Sequence, residues 1–164
     1  MEIDELGDWR RSHYTVEITP EMDGKEVLLM GWVRDIRDLG GIRFIVLQDR
    51  LGRIQITVPE SDVDEKTLAK SGSLHRQDCI AVRGTVRKME KAPRGVEIVP
   101  KEIRILGIAK QPLPLDVTGK TPAEIDVRLD ARVLDLRSDK GQAIFKIRHT
   151  VLEATRSFLS RKGF

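Results

Sequence analysis

The stretch that decides the fold runs from KEVLLMGWVRDI (residues 25–36) through IRFIVLQ (42–48) and DRLG (49–52) to RIQITV (53–58). In its first segment Val27, Leu29, Gly31 and Val33 share one face, while Leu28, Met30 and Trp32 share the other. A strand that is apolar on both sides and carries an interior glycine predicts the curved strand of a small barrel. DLGG (38–41) reads as a turn. DRLG reads as a hairpin turn between two further strands, the second with Ile54, Ile56 and Val58 on one face, ended by Pro59.

The pattern continues outward. Residues 61–70 predict a short helix with a polar cap and acidic first turn. QDCIAVRGTVRK (77–88) predicts a fourth strand, EKAPRG (90–95) a loop, and VEIVPKEIRIL (96–106) a fifth strand. The expected fold is mainly β: a five-stranded Greek-key barrel of the OB type, with a helix between strands 3 and 4. Residues 1–106 would form it, with Trp9 and Tyr14 anchoring the polar N-terminal segment. Residues 107–137 read as a hinge, opening on the Pro-rich QPLPLD (111–116) and passing into the charge-dense EIDVRLDARVLDLR (124–137). In the last part, 138–164, residues 142–161 predict a helix with Ile144, Ile147, Val151, Phe158 and Leu159 on one apolar stripe. Gly163 would cap it.

Composition narrows the function. Of 164 residues, 34% are charged, yet 29 Lys and Arg face 26 Asp and Glu, for a net charge of +3. That excess is too small for non-specific coating of DNA but permits a local basic face. The single cysteine, Cys79, excludes an intrachain disulfide framework and is expected to be a buried, inert thiol. His13, His75 and His149 are too scattered to suggest a metal site, and no nucleophile elbow is present. GKT (119–121) imitates the end of a phosphate-binding loop, but Pro114 stands where the loop needs glycine. A turn at Gly119 followed by a helix start at Pro122 is the simpler reading. No long apolar run and no signal-peptide core occur, so a soluble, cytoplasmic protein is expected.

On a barrel of this type, strands 2 and 3 carry the binding face. Phe44 would be a platform for stacking a base there, although by residue type alone the core is the commoner place for Phe. Gln55, flanked by Ile54 and Ile56, would face outward and offer a donor and an acceptor together; an ordinary solvated position is the alternative. Arg34, Arg37, Arg43 and Arg53 would form a positive face, or be plain surface charges. Glu97 would repel phosphate, so at such a face it makes sense as an acceptor from a base N–H.

GWVRDIRDLGGIRFIVLQDRLGRIQI (31–56) resembles the N-terminal anticodon-binding domain of archaeal/eukaryotic-type aspartyl-tRNA synthetases. The resemblance continues through GTV (84–86), GVE (95–97), LPLD (113–116), RLDARVLDLR (128–137) and FKIR (145–148). It implies the OB-fold independently of the strand count. It further implies that Phe44 stacks on the central anticodon uridine, that Gln55 and Arg37 hydrogen-bond it, and that Glu97 accepts from the first anticodon base. Arg34 and Pro93 would lie by the anticodon, Pro93 near its third base, where it leans toward acceptance of tRNA-Asn besides tRNA-Asp. The last helix resembles the dimer-forming motif 1 of class II synthetases, so the full-length form is expected to be a homodimer using ATP and magnesium. The chain stops at Phe164 within motif 1, so by itself it is expected to lack the ATP and amino-acid sites, to need no cofactor and to be inactive. No DNA and no membrane partner is expected. Two rivals remain: an asparaginyl-tRNA synthetase, against which HY (13–14), EIT (17–19) and PLDVTGK (114–120) look Asp-type, and a non-enzymatic single-strand-binding OB module.

Overall fold

The structure, a computed structural model, describes residues 2–164. Five strands, β1 (Glu26–Asp38), β2 (Ile42–Gln48), β3 (Arg53–Pro59), β4 (Cys79–Lys88) and β5 (Val96–Gly107), close into a barrel in the order β1-β2-β3-β5-β4. All pairs are antiparallel except β3 with β5, where Gln55 stands beside Glu97. Helix α1 (Glu65–Ser73) lies in the chain between β3 and β4, as expected. It starts later than the sequence suggests, because Asp64 rather than Ser61 supplies the cap: its Oδ1 accepts from the Thr67 amide at 2.9 Å.

Alternation fills the interior. Val27, Leu29, Val33, Ile45, Leu47, Ile56, Val58, Val82, Val86, Ile98 and Ile103 point inward and are almost fully buried. A Cβ at Gly31 would stand 2.3 Å from the Gln48 carbonyl oxygen, so only glycine lets β1 cross β2 this closely. Cys79, expected to be buried, is half-exposed at the start of β4, where the barrel ends.

One irregularity in β1 sets which of its side chains reach the outer face. Val33 pairs with Leu47, but Asp35 pairs with the next residue, Val46. Arg34 is therefore an extra residue, a β-bulge, and it shifts the phase of the strand. Before it the odd-numbered side chains point inward. After it Ile36 packs against the core and Arg37 is turned out to solvent.

The chain divides into two compact units, 1–111 and 112–164. In the second, the GKT stretch is a turn, as read. Asp116 accepts from the backbone amides of Thr118, Lys120 and Thr121, and Gly119 has φ +79°. The following helix α2 runs Ile125–Asp130, not from Pro122, and α3 is a single turn, Arg132–Asp135. Asp135 is buried and accepts from both Arg128 and Arg132, so the charge-dense stretch resolves into a local ionic knot. Helix α4 (Asp139–Arg161) is capped by Ser138 and starts a turn earlier than the apolar stripe suggests. Ile144, Ile147, Val151, Phe158 and Leu159 on it are all exposed.

Candidate nucleic-acid interface

A cleft of about 400 Å³ opens on the outer face of β2 and β3. Its floor follows from register. Arg37, Phe44 and Thr57 are cross-strand neighbours on β1, β2 and β3. One row further along, Val46, Gln55, Glu97 and Arg87 are neighbours on β2, β3, β5 and β4. The two rows share the outward face because side chains alternate along each strand. Met89, Lys91 and Pro93 of the β4–β5 loop form one wall, and Leu39 and Ile42 at the β1–β2 turn form another.

Phe44 is half-buried, neither in the core nor splayed into solvent, and its ring lines the cleft. Gln55 is half-buried beside it, Arg37 is exposed at the rim, and Pro93 is exposed on the loop. Glu97 lies beneath the cleft with only 2% of its surface exposed. Its carboxylate is fully used. Oε1 accepts from Arg87 Nε at 2.8 Å and Nη2 at 2.7 Å, and Oε2 accepts from Thr57 Oγ1 at 2.5 Å and Gln55 Nε2 at 3.0 Å. For a base to donate to Glu97, one of these protein donors has to let go.

The remaining expected arginines are elsewhere. Arg34 is buried, and its Nη1 donates to Gln48 Oε1 at 2.8 Å, so it lies outside the cleft. Arg43 is held by Asp38 at 2.5 Å and Ser71 at 3.0 Å, and Arg53 does not line the cleft. The four arginines do not form one positive face.

Comparison with known proteins bears directly on this surface. Residues 27–106 match the OB-fold nucleic acid binding domain family, and residues 124–164 match the tRNA synthetases of class II (D, K and N). Over 159 residues the chain is 54% identical to the aspartate–tRNA(Asp/Asn) ligase of Methanococcus vannielii, covering 97% of this chain and 36% of that one. The chain comprises an OB-fold anticodon-binding domain followed by the start of a class II synthetase domain. The corresponding ligase of Archaeoglobus fulgidus is 52% identical over 92% of this chain and 35% of its own. The chain thus spans about a third of the length of the curated relatives it matches. Among solved structures, the asparaginyl-tRNA synthetase of Pyrococcus horikoshii superposes with a TM-score of 0.84 at 31% identity, over 93% of this chain and 36% of that one.

The OB domain also holds its cleft in ways the sequence does not announce. Arg94, in the loop that carries Pro93, has φ 66°, a left-handed conformation unusual for a side chain of its size. Its guanidinium donates to the carbonyls of Thr15, Val16 and Ile18 at 2.8, 2.8 and 2.9 Å. The N-terminal segment therefore fixes the loop that walls the cleft. Thr57, Arg87 and Arg94 escaped the sequence reading. Period-2 alternation from Gln55 would have found Thr57, but nothing local links Arg87 to Glu97 or Arg94 to residues almost eighty positions away.

Among the described residues no group of three His, Cys, Asp or Glu is placed to hold a metal ion, and no helix is long and apolar enough to cross a membrane.

Proposed function

We propose that this chain is the anticodon-reading part of an aspartate–tRNA ligase. The whole enzyme attaches aspartate to tRNA-Asp in an ATP-dependent, magnesium-assisted reaction in the cytoplasm. The observation that carries the reading is the meeting of an aromatic ring, a carboxamide and a guanidinium, Phe44, Gln55 and Arg37, in one cleft on the outer barrel face. Phe44 stacks a base, and such stacking contributes about 1–3 kcal/mol. Gln55 and Arg37 meet its edge, and Pro93 lies over a neighbouring base. Acceptance of tRNA-Asn as well is supported by the dual names of the curated relatives and by proline at position 93. Residues 107–137 act as the hinge to the catalytic domain, and α4 contributes to a homodimer. We assign no residue of this chain to ATP or magnesium, and catalysis belongs to the whole enzyme.

The test is competition between seven-base hairpin loops carrying GUC and the same loops with the central base changed. The altered loops should bind about ten- to a hundredfold more weakly. Equal affinity for all loops at moderate salt would favour a general single-strand binder. Preference for a loop ending GUU over GUC would favour an asparagine-specific enzyme.

A further inference from the structure

We propose that Glu97 is a positioning residue: held by Arg87, it locks the Gln55 amide one way round, nitrogen toward Glu97, so that Oε1 is presented to the bound base as a fixed acceptor. The inference rests on the reading above that this cleft takes up a base.

The lock follows from donor and acceptor chemistry. An ionised carboxylate only accepts, and a guanidinium only donates. Arg87 reaches Glu97 Oε1 through two nitrogens and so pins that oxygen. The other oxygen then demands donors. Thr57 spends its single hydroxyl proton on it, at 2.5 Å. The part of Gln55 that lies 3.0 Å from the same oxygen must be the Nε2 amide. Nε2 also lies 3.3 Å from Thr57 Oγ1, whose proton is already committed, so Thr57 accepts there. The two acceptors stand only 2.5 Å apart, so a single N–H of Gln55 is shared between them, and that bond holds the amide with its nitrogen toward the protein. What Gln55 offers the cleft is Oε1, which makes no hydrogen bond among the described residues.

An acceptor fixed in this way selects a base that carries N–H on its pairing edge. Uracil has one at N3. Cytosine has a lone pair at that position, which would face the lone pairs of Oε1. Left to rotate, a carboxamide serves both bases equally; the selectivity comes from the lock and not from Gln55 alone.

Glu97→Gln tests this with little change of shape. Arg87 would still demand an oxygen, so the introduced carboxamide would turn its own nitrogen toward Thr57 and Gln55. Gln55 would then reverse, with Oε1 inward and its amide hydrogens toward the base. In hairpin competition the wild-type chain should prefer central U over central C by about ten- to a hundredfold. Glu97→Gln should bring that ratio to about one or invert it, while Gln55→Ala lowers affinity for both. A Glu97→Gln chain that folds and keeps the wild-type ratio overturns the proposal. The second measurement needs no RNA: hydrogen exchange of the Gln55 side-chain amide by NMR, assigned through its loss in Gln55→Ala. The proton bonded to Glu97 should be protected in wild type and lose that protection in Glu97→Gln. Exchange at the solvent rate in wild type overturns the lock. If no hairpin is discriminated at all, the reading of the cleft fails, and the exchange measurement still decides the lock.

Discussion

Arg37 stands directly opposite Phe44 on the β1–β2 ladder, and it reaches the outer face because Arg34 is an extra residue in β1. Without that bulge position 37 would fall in the inward phase of Val27, Leu29 and Val33. A guanidinium and an aromatic ring are thus brought to one cleft by a single inserted residue. Replacing Arg37 by Ala should weaken binding of the central-U loop most, narrowing the preference among central bases, and the loss of one cation should reduce the salt dependence of affinity. Stability should change by less than about 0.5 kcal/mol, since the side chain is exposed. Salt titrations of affinity, with thermal melts alongside, check both halves. A large drop in melting temperature would instead make Arg37 a structural residue.

Phe44 divides its surface between the barrel wall and the cleft. Phe44→Ala should lower hairpin affinity by about 1–3 kcal/mol. The accompanying loss of stability should stay below the roughly 3–5 kcal/mol of a fully buried Phe, because part of the ring already faces solvent. Melting midpoint and affinity measured on the one variant separate the two effects. Binding that falls only as the folded fraction falls would assign Phe44 to the core.

Arg94 ties the cleft-wall loop to the N-terminal segment through three carbonyls. Arg94→Met keeps the aliphatic stem and removes the donors. Backbone amides of residues 89–95 and 15–18 should exchange faster, and stability should fall by about 1–3 kcal/mol. Hydrogen exchange followed residue by residue would show this. Unchanged protection on both sides would mean that the loop holds itself.

Acid should destabilise the fold through a few identifiable carboxylates. Burial works to raise Asp4, but hydrogen bonds from Lys70 and the Ile105 amide hold it below the usual carboxylate range. The Thr67 amide and hydroxyl hold the capping Asp64 low as well. Burial likewise works to raise Asp116, and donors from Thr118, Thr121 and Lys120 outweigh it. Groups depressed in the folded state contribute stability that is complete above their unfolded values, about pH 4, and is lost as pH falls through the lower folded values. Urea midpoints should therefore be flat near neutrality and fall steeply below about pH 4. Asp64→Asn, which can still cap α1, should make that fall shallower. A slope unchanged in this variant would remove Asp64 from the account.

The amino-acid sequence by itself determined the barrel. Period-2 alternation in 25–36, 42–48 and 53–58, turn residues at 38–41 and 49–52, and the order of three strands, helix and two strands leave few alternatives, because each strand must bury one face. The same alternation put Gln55 on the outside. It could not choose between platform and core for Phe44, since both faces of β2 carry apolar residues; the register of the closed barrel, which turns Ile45 and Leu47 inward, decided that. It could not place the arginines, because a bulge alters phase without leaving a local signature. Arg34, expected at the RNA, is buried against Gln48, while Arg37 reaches the cleft. Helix starts at 65, 125 and 139 were decided by which polar side chain or turn actually stood at each end, a matter of geometry more than residue type. The network around Glu97 joins residues 55, 57, 87 and 97 from three strands. Hydrogen bonds fall off within a few tenths of an ångström, so only the closed barrel, with β3 laid parallel beside β5, brings that carboxylate to its donors.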